Sequence, residues 1–384
     1  MSKKPVVDPI LLRFHNLLFS YEFARDQLKP NSNQADSSVT QQKTKDRALL
    51  AVEQQAVDNR KAEAANKSMQ QKAMQLELNA YVDTVFRERI QDIDMVVEKT
   101  IGTSDAVPAV LDLLSIKAAS ISRIDPLISG LPWLSEDILH FINLPVYQKA
   151  NAQEKVKVDK VKTALSYIGI ENLPFLIPSF AARQWLPHST DPFKLMKRKL
   201  LENGLASAIC CRQLAKMYEQ SEATLFIAGM FHDIGKSAIV RIYYRVFDEV
   251  WKEKLTEARN NRLKDRHNAL VDLEPDPIAL RDLMLELSAS LSVKIIAQFK
   301  LKRLMIASPL QECADKTPYA EMSKQAKILS KGITYSHFRA LQQHHLISNT
   351  EAKSYLTRHH INVEEITALR KLSLKRLNLN VVKY

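Results

Sequence analysis

Apolar residues recur along this chain at helical rather than strand intervals. Between residues 74 and 97, Met74, Leu78, Tyr81 and Val85 follow at spacings of four, three and four, and Phe86, Ile90, Ile93 and Val97 repeat the pattern beside them. The two stripes predict a long helix that packs on both sides. From Val107 onward helical patterns alternate with short breaks at Pro126, Gly130 to Pro132, Pro145, Gly169, Pro174, Pro178, Pro187 and Pro192. No run alternates apolar and polar residues convincingly over a strand length, so the pattern predicts an all-α helical bundle. Beyond Pro309 the segments 323–329 and 336–346 are again helical. Leu377, Leu379 and Val381 alternate as a short strand would, although a basic amphipathic helix suits the residues just before them.

Breaks in the pattern divide the chain. The first segment, MSKKPVVDPILLRFHNLLF, resembles a leader peptide only until Asp8, Pro9, Arg13 and His15 interrupt its apolar run, and it reads as a short amphipathic helix. Residues 29–42 are polar, with proline, serine and asparagine, and form a linker. Residues 44–99 contain neither proline nor glycine and suit one long helix or two joined ones. They read as an arm docked on the following domain, with a coiled-coil homodimer through 44–99 as the sharper alternative. Gly102, Ser104, Asp105 and Pro108 then mark a boundary. The expected division is a helical arm at 1–105, a central domain at 106–310, and a mostly helical extension at 311–384.

Composition strengthens the helical reading. Only 7 glycines occur in 384 residues, while Leu, Ala, Lys, Glu and Gln abound. The 3 cysteines are odd in number. Cys210 and Cys211 are adjacent, where a mutual disulfide would be strained, so small core residues in a reducing cytoplasm are expected. No run of about 18 uncharged apolar residues predicts a membrane span. The net charge of +12 favours anionic partners only if it is clustered, and the clustering is mild, so nucleic-acid binding is not the expected role.

The most informative phrase is ATLFIAGMFHDIGKSAIVRIY, residues 223–243. An apolar helix there delivers His232 and Asp233 side by side before Gly235 and Lys236, and an adjacent imidazole and carboxylate can meet one metal ion. FHDIGK resembles the signature of the HD superfamily. Upstream, Asp125, Pro126, Ile138, Leu139 and Asn143, followed by Ala164, Ile168 and Gly169, resemble the landmarks of the HDOD domain, a relative that keeps the HD fold with little metal chemistry. The resemblance implies an HD-like bundle in a bacterial protein tied to signal transduction. The catalytic relatives use a further histidine on the preceding helix and ligands later in the chain. Those positions fall here on Asn203 and Ser288, an amide and a hydroxyl that are poor transition-metal ligands. Asp272, Asp276 and Asp282 are the candidates for a later carboxylate.

The resemblance therefore leaves His232 and Asp233 as residual ligands, expected as a buried hydrogen-bonded pair with no catalytic residue, cofactor or metal. It implies a non-enzymatic regulatory scaffold whose partner is a regulatory protein or a small signalling ligand. The rival is a metal-dependent phosphohydrolase of a nucleotide or cyclic dinucleotide, with a divalent metal on His232 and Asp233 and with Lys236 steadying phosphate. A nucleic-acid-binding regulator is the third possibility. The adjacent pairs His344-His345 and His359-His360 diverge by about 100° if helical and are expected at the surface.

Overall fold

The computed structural model describes residues 8–26, 28, 51–103, 106–116, 119–147, 157–377, 379 and 381, with backbone alone over 51–66. The expected linker at 29–42 lies outside the described residues, as does the start of the expected arm. Among the described residues the fold is all-α, without a strand.

The chain opens with α1 (Pro9–Phe19) and α2 (Tyr21–Asp26). The long α3 (Ala51–Arg89) leads through α4 (Ile93–Met95) into a π-helical turn at Val96–Ile101. Five shorter helices follow: α5 (Ala106–Leu114), α6 (Ile121–Ser129), α7 (Pro132–Ile142), α8 (Val161–Ile168) and α9 (Leu173–Gln184). The centre is built from α10 (Met196–Met217), α11 (Glu222–Phe231), α12 (Ile234–Asn260), α13 (Lys264–Val271) and α14 (Pro277–Gln298). The last four are α15 (Ala307–Ala314), α16 (Lys324–Gln343), α17 (Asn349–Arg358) and α18 (Val363–Arg370).

Small residues bring the central helices together. Helix α10 runs against α11 and α16, and a Cβ at Gly229 of α11 would lie 2.8 Å from Ala208 Cα, while one at Gly332 of α16 would lie 2.4 Å from Cys211 Sγ. Cys210 and Cys211 are buried at this crossing, and burial pushes both thiols up, so they act as small core residues. One hydrophobic cluster runs from Ile10 to Leu369, so both ends of the chain share the core of the central bundle.

Helix α1 is inserted rather than laid on the surface. Asp8 caps it by accepting from the Ile10 amide, and Phe14, Leu17 and Leu18 are buried. The residues that interrupt its apolar run make its specific contacts. Arg13 donates to the Leu346 carbonyl at 2.7 Å and to Glu351 at 3.0 Å, and Asp8 pairs with Arg358 at 2.8 Å.

The C-terminal half of α3 docks on α12 and α13. Leu78, Val82 and Phe86 are buried on one face, while Tyr81 is 44% exposed under the Lys254 ammonium. The expectation of two packed stripes is therefore corrected to one buried seam, because the opposite face meets solvent. Asn79 donates to Asp276 at 2.7 Å, and Arg87 and Arg266 pair with Glu286 and Glu77 at 2.8 and 2.6 Å. Such half-exposed pairs are each worth at most about 1 kcal/mol, so the apolar seam dominates the docking.

Two of the HDOD-like landmarks, Asn143 and Gly169, are joints between helices. Asn143 caps α7; its amide donates to the Val158 carbonyl at 2.8 Å and accepts from the Val158 amide at 2.9 Å, which pins the approach to α8. Gly169 ends α8 at φ 81°, where a side chain would be strained. Asp125 and Pro126 lie within α6.

With so few glycines, other residues take the left-handed position after helices. Glu219, Arg262, Lys300, Lys316, His345 and His360 all have φ between 49° and 57°. This revises the reading of the histidine pairs, which end α16 and α17 instead of continuing them. His344 and His359 are half-buried against Tyr21 and Tyr355, and only His345 and His360 are exposed. Lys300, exposed just after α14, offers a clean test. Lys300→Gly should stabilise the protein by about 0.5–1 kcal/mol, read as a higher urea midpoint, because glycine adopts this conformation without the Cβ penalty.

The described residues after α18 are not a strand. Leu372, Leu374, Leu377, Leu379 and Val381 are partly buried against the core along an irregular segment, so their alternation reflects packing on helices without a neighbouring strand to pair with.

Candidate functional site

The polar centre lies where α11 passes into α12. His232 ends α11 and Asp233 opens α12, because the two residues form the turn between the helices. Gly235 permits the next contact. Its amide donates to the Ser292 hydroxyl at 2.9 Å, and a Cβ there would stand 2.3 Å from the Ser288 carbonyl oxygen on α14. Gly235→Ala should therefore cost about 1–3 kcal/mol despite alanine's better helix propensity, because α12 and α14 would have to separate. Gly130→Ala is the control, since its Cβ would meet nothing closer than 3.5 Å. Equal urea midpoints for the two variants would refute the packing argument.

Asp233 is the hub. Its Oδ2 accepts from Lys236 Nζ and from Asn203 Nδ2, both at 2.7 Å, and lies 3.2 Å from His232 Nε2. Asn203, at the expected lost-ligand position on α10, is thus bonded to the very carboxylate a metal would need. Asn203 Oδ1 lies 3.3 Å from the Ser336 hydroxyl of α16, which is in turn 2.7 Å from the Ser207 hydroxyl. The polar chain joins α10, α12 and α16 at their crossing. Lys236 is buried, and its ammonium is turned onto Asp233.

His232 donates from Nδ1 to the Gly229 carbonyl at 2.7 Å. Its Nε2, although near Asp233, lacks the alignment of a hydrogen bond and has no partner, and the same holds for Nε2 of buried His337 on α16. Ligand atoms of His232, Asp233 and His337 all lie within 4.8 Å of one another. His337, in the C-terminal extension, is the member that sequence reading missed. No motif marks it, and only the close packing of α16 on α10 brings it in. Phe14 of α1 stacks on the His337 ring at 3.9 Å and closes the site from the N-terminal side.

The other expected positions do not join this group. Ser288 backs onto Gly235, Asp272 is exposed after α13, Asp276 caps α14 and bonds Asn79, and Asp282 pairs with Arg281.

Electrostatics follow from burial. Burial alone would raise the Asp233 carboxyl, but the His232 imidazole and the Lys236 ammonium outweigh it and hold the group well below the usual carboxylate range. Burial, helped by Lys236, pushes His337 well down and lowers His15 of α1 to about 3. The cavity that Asp233 faces, walled by Trp185, Leu200, Met230 and Phe231, has a volume of about 30 Å³. That is room for water.

Two imidazoles and a carboxylate are donors that suit zinc or iron. An ion there would compete with the contacts the carboxylate already makes. Asp233 Oδ2 already accepts from an amide and an ammonium, and Lys236 would set a positive charge beside the metal.

A helical bundle centred on a His-Asp pair at a helix junction defines the class of HD-type domains. Residues 103–273 match the family model of the HDOD domain, and the chain carries an HDOD domain there. Asn203, His232 and Asp233 lie inside the match; Phe14, Ser288 and His337 lie outside it. No curated protein matches the chain. Two solved structures from Shewanella amazonensis SB2B are similar. One, provisionally named a phosphohydrolase, has 19% identity and a TM-score of 0.46, covering 73% of this chain and 92% of its own. The other, provisionally named a metal-dependent phosphohydrolase, has 13% identity and a TM-score of 0.45, covering 76% and 95%.

Among the described residues no helix is long and apolar enough to cross a membrane.

Proposed function

We propose that the chain is a non-enzymatic regulatory scaffold in which the HDOD bundle, sealed by its own N-terminal and C-terminal helices, presents a binding surface to a regulatory protein or small signalling ligand. One observation carries this reading: the Lys236 ammonium stands against Asp233 at 2.7 Å, so the carboxylate is neutralised by a cation of the protein itself. The buried pair, Asn203 and Ser336 tie three helices together, which is a structural task.

The second reading is a metal-dependent phosphohydrolase. The two unpartnered Nε2 atoms favour it, as does the Nδ1 bond from His232 to a backbone carbonyl, which is how ligating imidazoles are commonly oriented.

Metal content of the purified full chain by mass spectrometry, together with hydrolysis of bis(p-nitrophenyl) phosphate in the presence of manganese, separates the two. The scaffold reading expects metal well below one equivalent and no turnover above that of His232→Ala. One equivalent of metal with turnover lost in His232→Ala overturns it in favour of the enzyme.

A further inference from the structure

A second, larger cavity opens on the far side of Asn203. It has a volume of about 360 Å³ and lies between α1, α10, α16 and the segment after α18. Cavities of roughly 300–1,000 Å³ take small organic ligands, and this one sits at the lower end, which suits one nucleotide-sized molecule and not two joined ones. It contains neither His232, Asp233 nor His337, so what it binds is independent of whether that centre takes a metal.

The lining combines apolar and cationic side chains. Leu17 and Leu18 of α1 and Leu374 supply apolar lining, and Lys199, Arg339 and Lys375 contribute three cations against the single carboxylate of Glu202. That carboxylate is committed. Glu202 lies 3.2 Å from Lys199 and 3.6 Å from Arg198, and Lys199 is further held 3.1 Å from Nε2 of His344. Arg339 donates to the neutral amide of Gln342 at 3.1 Å. Among the described residues neither Arg339 nor Lys375 has a carboxylate within ion-pair distance. Two uncompensated cations beside an apolar wall match a dianion carried on an apolar body. A phosphomonoester carries about −1.5 to −2 charge near neutral pH and offers the oxygens that a guanidinium fork and an ammonium bind together.

We propose that this cleft is a binding site for a small organic phosphate, with its phosphate held by Arg339 and Lys375 and its apolar or aromatic body against Leu17, Leu18 and Leu374. Asn203 and Ser336 form part of its inner wall and are also members of the chain that reaches Asp233. An occupant would therefore touch both the N-terminal helix and Asn203, which bonds the hub.

The test is isothermal titration of the metal-stripped full chain with AMP, GMP and octyl phosphate, with adenosine and inorganic phosphate as controls. The nucleotides and the alkyl ester distinguish an aromatic from an aliphatic body. At least one of the three should saturate a single site at least tenfold more tightly than either control. Arg339→Gln with Lys375→Gln, two positions outside the buried core, should weaken it tenfold or more, and Ala206→Phe, which fills the cavity, should abolish it. Circular dichroism of each variant separates lost binding from lost folding. The proposal is overturned if none of the three phosphates binds up to millimolar concentration, if adenosine or inorganic phosphate binds as well, or if the folded variants bind unchanged.

Discussion

Lys236→Met is expected to destabilise the protein by about 3–5 kcal/mol, the cost typical of breaking a buried ion pair by removing one partner. The lysine side chain is 3% exposed and that of Asp233 15%, so the carboxylate would be left inside the bundle with only the Asn203 amide and the His232 imidazole beside it. Methionine keeps the stem volume, so the loss reports charge rather than packing. Changing both partners, Lys236→Met with Asp233→Asn, should recover much of the stability, because no unbalanced charge remains. Urea unfolding of the two single variants and the double gives the coupling directly. A Lys236→Met variant within 1 kcal/mol of the parent would mean that the ammonium is not the partner that keeps Asp233 ionised.

That dependence explains what could be read from the sequence and what could not. FHDIGK, together with Asn143 and Gly169, located the HDOD domain because these are local features: a helix-ending turn, a side-chain cap and a positive φ. Asn203 stood out as an amide where the family resemblance expects a histidine, but its bond to Asp233 was not legible, since that depends on how α10 packs beside α11. The bond from Lys236 back onto Asp233, one helical step away, was not legible, because the motif says nothing about the direction of the side chain. His337 was invisible for a different reason. It lies 104 residues after Asp233 in a helix of the C-terminal extension, and nothing local separates it from an ordinary buried histidine. The polar residues of the first segment were visible, yet only as interruptions. Arg13 turned out to anchor α1 in the bundle, while buried His15 bonds the Leu11 carbonyl of its own helix, because a helix buried all round must direct its few polar groups to partners.

His15 makes the same helix a source of acid sensitivity. It is buried, donates from Nδ1 to the Leu11 carbonyl at 2.8 Å, and is lowered to about 3 by burial first and then by the nearby Lys236, against smaller raising effects of the Leu11 bond and Asp233. In the unfolded chain its value is about 6.5. The folded state thus holds His15 neutral while the unfolded state takes up a proton below that value. The contribution of His15 to stability is therefore complete above pH 6.5 and is lost as pH falls from there toward 3. One pKa unit corresponds to about 1.4 kcal/mol, so the loss should reach about 2 kcal/mol at pH 5 and about 4 kcal/mol at pH 3. His337 is shifted in the same direction and adds to the slope. His15→Gln removes the titrating group, so its urea midpoint should fall less than the parent's between pH 7 and pH 5. Parallel pH profiles for the two proteins would show that His15 is not the group whose protonation loosens α1 from the bundle.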